Sequence, residues 1–142
     1  MRITILTIGK PRTSFVLDGV SEFMKRIQRF GDVTLLHLKE SANATDIEKY
    51  AKRSQLILLD EKGTEYTSAS FAKMLDACAQ QSVDLVFCIG GADGHTPDVR
   101  LLPHKTMTLS HLTLPHEMAL LFFVETLYRS LTISAGHPYH RD

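Results

Sequence analysis

A chain of 142 residues, 44% hydrophobic and 23% charged, fits one domain that needs no disulfide or metal to hold its core, and it excludes an extended disordered polymer. Sixteen basic residues balance sixteen acidic ones, so charge alone gives no sign of a large nucleic-acid footprint. No uncharged apolar span reaches membrane length, and the first residues run into a strand-like pattern rather than a signal peptide, which predicts a cytoplasmic protein.

Residues 2–8 read as a short apolar strand, and residues 11–30 place Phe15, Val16, Val20, Phe23, Met24 and Ile27 on one helical face. Residues 33–38 predict a second strand and residues 46–53 a helix. Leu56, Ile57, Leu58 and Leu59 form a third strand that is apolar throughout, as expected of one covered on both faces. Thr67 or Ser68 caps a helix running to residue 81. Residues 83–89 and 106–109 give two more strands, and a long helix over residues 115–135 closes the series. Strands alternating with helices, without repeats or low-complexity linkers, predict a single α/β domain over residues 1–142: a mostly parallel sheet with helices on both faces. Ligands bind such sheets beyond the carboxyl ends of the strands, so the loops after Leu59, Ile89 and Leu109 are the candidate site. Cys78 and Cys88 fit reduced, mostly buried thiols, because no second cysteine lies at metal-ligand spacing.

The loop Gly90-Gly91-Ala92-Asp93-Gly94 lets backbone N–H groups approach a ligand closely, although the same glycines also suit a plain tight turn. It is not G-x-G-x-x-G, and no Lys-Ser or Lys-Thr follows, so dinucleotide and P-loop readings are weak. The loop Ser110-His111-Leu112-Thr113-Leu114-Pro115 has the apolar side chains and free backbone to clamp a flat adenine, with Pro115 joining it rigidly to the following helix. That helix is apolar around much of its circumference in its first half, which marks a core helix that also covers a partner. Glu125 and Arg129 stand four apart as an i,i+4 pair.

Six of the seven histidines fall in the C-terminal third, and the last residues, His137-Pro138-Tyr139-His140-Arg141-Asp142, are not an ordinary polar tail. The imidazoles offer proton transfer near neutral pH, Tyr139 a ring that stacks on a base, and Arg141 a planar fork for phosphate. Pro138 restricts His137 to extended conformations, predicting a strut that leaves the helix and reaches a neighbouring site.

Taken together, Gly90-Gly91-x-x-Gly94, Leu112-Thr113-Leu114-Pro115-His116, Glu125-Thr126-Leu127-Tyr128-Arg129 and Gly136-His137-Pro138-Tyr139-His140-Arg141 resemble the RlmH family of ribosomal RNA large subunit methyltransferases, the YbeA-type SPOUT proteins. The likeness runs nearly end to end, and four separated motifs in one order are far more specific than any one of them. It implies a homodimer with a C-terminal trefoil knot, which the general rule against knotted chains would not suggest. It also implies transfer of a methyl group from S-adenosyl-L-methionine to N3 of a pseudouridine in 23S rRNA of the assembled 70S ribosome, with no metal, DNA or membrane involved. By motif position, Leu59, Gly91, Ser110, His111, Leu112, Thr113, Leu114 and Pro115 would hold the cofactor. Tyr139, His140 and Arg141 would serve the RNA, with His140 the leading base or orienting group. One departure stands out: relatives usually carry an arginine where this chain has Leu120. Arg12, Lys25, Arg26 and Arg29 on or before the first helix are the cations placed to compensate.

Two other functions compete. One is a non-catalytic ribosome-binding or assembly module on the same scaffold. The other is a small Rossmann-like nucleotide-binding enzyme, which predicts a phosphate-bearing ligand at residues 90–94.

Overall fold

A computed structural model describes residues 1–141. In chain order it contains β1 (Arg2–Ile8), α1 (Ser14–Ile27), β2 (Asp32–Leu38), α2 (Ala44–Ala51), β3 (Ser54–Glu65), α3 (Ser68–Gln80), β4 (Asp84–Ile89), α4 (Pro97–Arg100), β5 (Lys105–Thr108) and α5 (His116–Ser134). The five strands form one all-parallel sheet in the order β2-β1-β4-β3-β5.

Alternate strand residues sort between two cores, as the period of two requires. Ile3, Ile5, Ile57, Leu85, Phe87 and Met107 meet α1, α3 and α5 on one face. Leu6, Leu56, Leu58, Val86 and Cys88 meet Ile47 of α2 and Val99 of α4 on the other. The first face carries the larger core, centred on Phe71, Phe87 and Phe123, whose rings lie 4.8–6.4 Å apart. Helices thus flank both faces, three against two. Burial pushes the Cys88 thiol up to about 12, so it stays protonated and inert.

Local chemistry sets the helix ends. Asn43 and Asp46 form a reciprocal capping box that starts α2 two residues before the expected Asp46, and Thr67 and Ser70 do the same for α3. Thr13 is the N-cap residue of α1, so Pro11 lies outside the helix. At Gly19, α1 crosses α5 so closely that a β-carbon there would stand 2.7 Å from Leu121. Leu120 is 1% exposed and packs in the core with Phe123 and Val124, so an apolar side chain fills the position expected to carry an arginine in relatives.

Two features are not legible in the sequence. The short α4 interrupts the expected loop before β5. More important, β3 does not stop at Leu59. Met107 of β5 pairs with Leu59 and again with Thr64, so residues 60–63 arch over it before pairing resumes. A β-carbon at Gly63 would lie 2.6 Å from the Met107 backbone, so only glycine fits the crossing.

Candidate active site

The carboxyl ends of β4 and β5, with residues 59–61 of β3, open onto one cleft of about 790 Å³, a size suited to a nucleoside-sized ligand. Leu59, Ile89, Leu109, Leu112 and Leu114 supply apolar surface, and residues 90–94 form one wall. Of the eight residues expected to hold a cofactor, Leu59, Gly91, Ser110, Leu112, Thr113, Leu114 and Pro115 all line this cleft.

His111 does not. Its Nδ1 faces the Glu61 carbonyl at 3.1 Å and its Nε2 faces Glu65 Oε2 at 3.2 Å, so these two oxygens turn the ring aside while its loop neighbours face inward. Within the expected cofactor loop, His111 is thus the residue whose ring contacts Glu61 and Glu65 rather than the cleft.

The glycine loop is both a tight turn and a wall. Gly94 takes φ +78° and donates its N–H to Gly91 O at 3.0 Å. A β-carbon at Gly90 would stand 2.8 Å from the Gly94 backbone, so Gly90 is required by the turn itself. At Gly91 the nearest atom is Ile8 O at 3.5 Å, an ordinary contact. The fold therefore tolerates a β-carbon at 91, where it would lie against Ile8.

His95 is a site residue that the sequence motifs did not single out. Its Nε2 lies 2.8 Å from Leu59 O, so Nε2 carries the proton and donates it to the carbonyl. Burial lowers the His95 pKa most; the Leu59 hydrogen bond opposes this, and Arg100, Asp60 and His104 add smaller effects. The ring thus favours the neutral form in the cleft wall. Beside it, Arg100 Nη1 meets Asp60 Oδ2 at 2.6 Å. The Lys62 N–H and then Arg100 hold the Asp60 carboxyl below its usual range. The Thr113 hydroxyl donates to Glu61 Oε2 at 3.0 Å, joining the 110–115 loop to the arch over Met107.

Tyr139, His140 and Arg141 are not in this cleft. The expected extended strut is overturned, because Gly136 takes φ +72° as a helix terminator and the chain folds back on the last turns of α5. The Tyr139 hydroxyl donates to Glu125 Oε1 at 3.0 Å, and its ring meets Tyr128 at 4.6 Å. The Arg129 guanidinium lies 4.8 Å from the Tyr139 ring centre. Burial, then Glu125, raises the Tyr139 pKa, so the phenol keeps its proton. Arg129 Nη1 donates to His140 Nδ1 at 3.1 Å, which leaves the neutral imidazole's proton on Nε2. Arg26 is held by Glu22 at 3.0 Å and lies over Phe23 and Tyr128, extending this basic end of the molecule. The cleft takes Pro115, His116 and Ala119 at the start of α5, and the tail packs from Glu125 onward, outside the cleft. Glu125 follows Ala119 by six residues, about 9 Å of helix rise.

Among the described residues no cluster of three or more His, Cys, Asp or Glu could hold a metal, and no helix is long and apolar enough to cross a membrane.

The chain falls in the SPOUT methyltransferase class. Residues 1–140 match the family described as predicted SPOUT methyltransferase. The chain is similar to the ribosomal RNA large subunit methyltransferase H of Deinococcus deserti, 39% identical with 99% of this chain and 100% of that protein covered. The protein of the same name from Deinococcus radiodurans is 41% identical, with 99% of each covered. Among solved structures, a probable methylase family protein from Haemophilus influenzae Rd KW20 superposes with a TM-score of 0.57 at 14% identity, covering 99% of this chain and 70% of that one. TrmJ from Z. mobilis ZM4 gives 0.52 at 11% identity, covering 92% and 70%. The chain belongs to the ribosomal RNA large subunit methyltransferase H family of SPOUT methyltransferases.

Proposed function

We propose that this protein transfers a methyl group from S-adenosylmethionine to N3 of a pseudouridine in 23S rRNA on the assembled 70S ribosome, acting as a cytoplasmic homodimer. The observation that carries the reading is the cleft at the sheet edge, walled by Leu59, Gly91 and residues 110–115 in a chain related to its family over its whole length. The apolar lining fits a flat adenine, and the adjacent loop backbones suit its ring nitrogens. The arch of residues 60–63 over Met107 is read as part of the implied trefoil knot.

When bound, S-adenosylmethionine supplies a methyl carbon already made electrophilic by its positive sulfur. The protein's task is then to align the target nitrogen behind that carbon and to ease loss of the nitrogen's proton. Because the tail is bound to Glu125 and Arg129, outside its own cleft, Tyr139, His140 and Arg141 of one protomer serve the cleft of the second. On this reading Tyr139 positions the tail through Glu125, and His140 orients the target base or takes its proton. Arg141, exposed at the tip, stabilises negative charge as it builds on the ring oxygens.

Incubation with labelled S-adenosylmethionine and ribosomes lacking the modification, followed by nuclease mapping, tests donor, substrate and position together. Label at one pseudouridine of 23S rRNA is expected. Cofactor binding without any labelled RNA would favour the non-catalytic ribosome-binding reading.

A further inference from the structure

The loops that follow β1 and β2 enclose a second hollow, of about 660 Å³, lined in part by Gly9, Lys10, Arg12, His37, Lys39 and Glu40. It is a built surface. Gly9 N–H donates to Leu38 O at 2.8 Å, joining the two loops, and Thr7 Oγ1 bonds both Gly9 O at 3.0 Å and His37 Nδ1 at 2.7 Å. Glu117 Oε1 accepts the N–H groups of Arg12 at 3.2 Å and Thr13 at 3.0 Å, fixing the first loop to the opening turn of α5.

The same pinning places the hollow beside the cleft. Gly91 stands against Ile8 O, one residue before Gly9, and His116, next to Glu117, lines the cleft. Charge distinguishes the two. Three cations face the hollow with one carboxylate, and this Arg12–Glu40 contact spans 3.8 Å between side chains 87% and 81% exposed, so it holds Arg12 weakly. Lys10 and Lys39 meet no carboxylate within 4.0 Å among the described residues. In a chain of zero net charge, this local excess is what a polyanion would find next to the cleft.

We propose that the hollow docks the sugar-phosphate backbone of the rRNA strand flanking the methylated base, with Lys10, Arg12 and Lys39 contacting phosphates. The inference rests on the rRNA methyltransferase reading and deepens it. Positively charged side chains here fix the strand's position, while sequence is supplied by the ribosome.

The test compares wild-type protein with Lys10→Gln/Lys39→Gln and Lys10→Glu/Lys39→Glu, measuring affinity for unmodified ribosomes across a salt series and affinity for S-adenosylmethionine by calorimetry. The neutral variant is expected to bind ribosomes roughly tenfold more weakly at low salt, with a log–log salt slope shallower by about 2, one for each phosphate no longer neutralised. The charge-reversed variant is expected to bind more weakly still, with cofactor affinity and oligomeric mass unchanged in both. Ribosome affinity and slope equal to wild type in both variants would overturn the proposal, as would a weakening traced to a changed oligomeric mass. If the wild-type protein bound no S-adenosylmethionine, the methyltransferase reading would fall, which the calorimetric arm reports independently of the ribosome arm.

Discussion

The Tyr139 hydroxyl and Arg129 share one oxygen of Glu125: the phenol donates at 3.0 Å, and the guanidinium Nη2 and Nε donate at 2.6 and 3.1 Å. This shared acceptor folds the tail onto α5 and sets where His140 and Arg141 stand. Tyr139→Phe keeps the ring and removes only the hydroxyl bond. On the proposed account it lowers the rate of methyl transfer about tenfold, the size of one half-exposed charge-assisted bond, with S-adenosylmethionine affinity unchanged. Single-turnover kinetics beside calorimetry checks the split; equal reductions in both would place Tyr139 in general folding.

The two loop glycines separate by what each would touch. Gly90→Ala puts a β-carbon 2.8 Å from the Gly94 backbone, so it should lower thermal stability, by about 1–3 kcal/mol for an overpacked turn. A β-carbon at Gly91 meets only an ordinary contact with Ile8, so Gly91→Val should cost less stability than Gly90→Ala while it blocks cofactor binding. Undiminished calorimetric binding by Gly91→Val would make the loop merely a turn.

His95 gives the cleft a pH dependence. Its folded pKa lies below the unfolded 6.5, so the folded state holds fewer protons: the stabilisation is fully present above pH 6.5 and is lost as pH falls through the lower folded value. A protonated ring there also adds a cation beside Arg100 in a cleft proposed to take a positively charged donor. Affinity for S-adenosylmethionine should therefore weaken below pH 6.5, and His95→Asn should flatten the profile. His37, also lowered but facing the other hollow, is the control: His37→Asn leaves the profile in place.

Ser130 is fully buried, and its Oγ has no hydrogen-bond partner. Removing an unsatisfied hydroxyl relieves its desolvation cost, so Ser130→Ala should stabilise the fold by about 1 kcal/mol, or roughly 3 °C. Thermal denaturation decides it.

Much of this architecture was legible from periodicity, because the strands of a doubly covered sheet are apolar throughout and each core helix carries its stripe on one face. The cap at Thr67 was readable from local chemistry, whereas the Asn43–Asp46 pair starts α2 two residues before the expected Asp46. The return of β3 past Leu59 was not, since residues 60–63 are polar and their partner, Met107, lies more than forty positions away. The cleft loops followed from the rule that ligands bind at strand ends, whereas His95 was hidden because nothing in its neighbours announces the distant Leu59 carbonyl. Pro138 suggested an extended tail, yet the Glu125 acceptor and the terminating Gly136 govern its course. Short-range signals describe elements well and say little about which distant group will capture a side chain.

The central claim is that one chain supplies the cleft and another supplies the tail, and complementation between two inactive variants tests it most directly. Gly91→Val disables the cleft and His140→Ala the tail, so each variant alone should transfer almost no methyl groups to unmodified ribosomes. Mixed and allowed to exchange subunits, they form dimers with one intact composite site each, and activity should return to about a quarter of wild type. A mixture as inactive as its components, although mass measurement shows the mixed dimers present, would mean that cleft and tail do not meet across subunits.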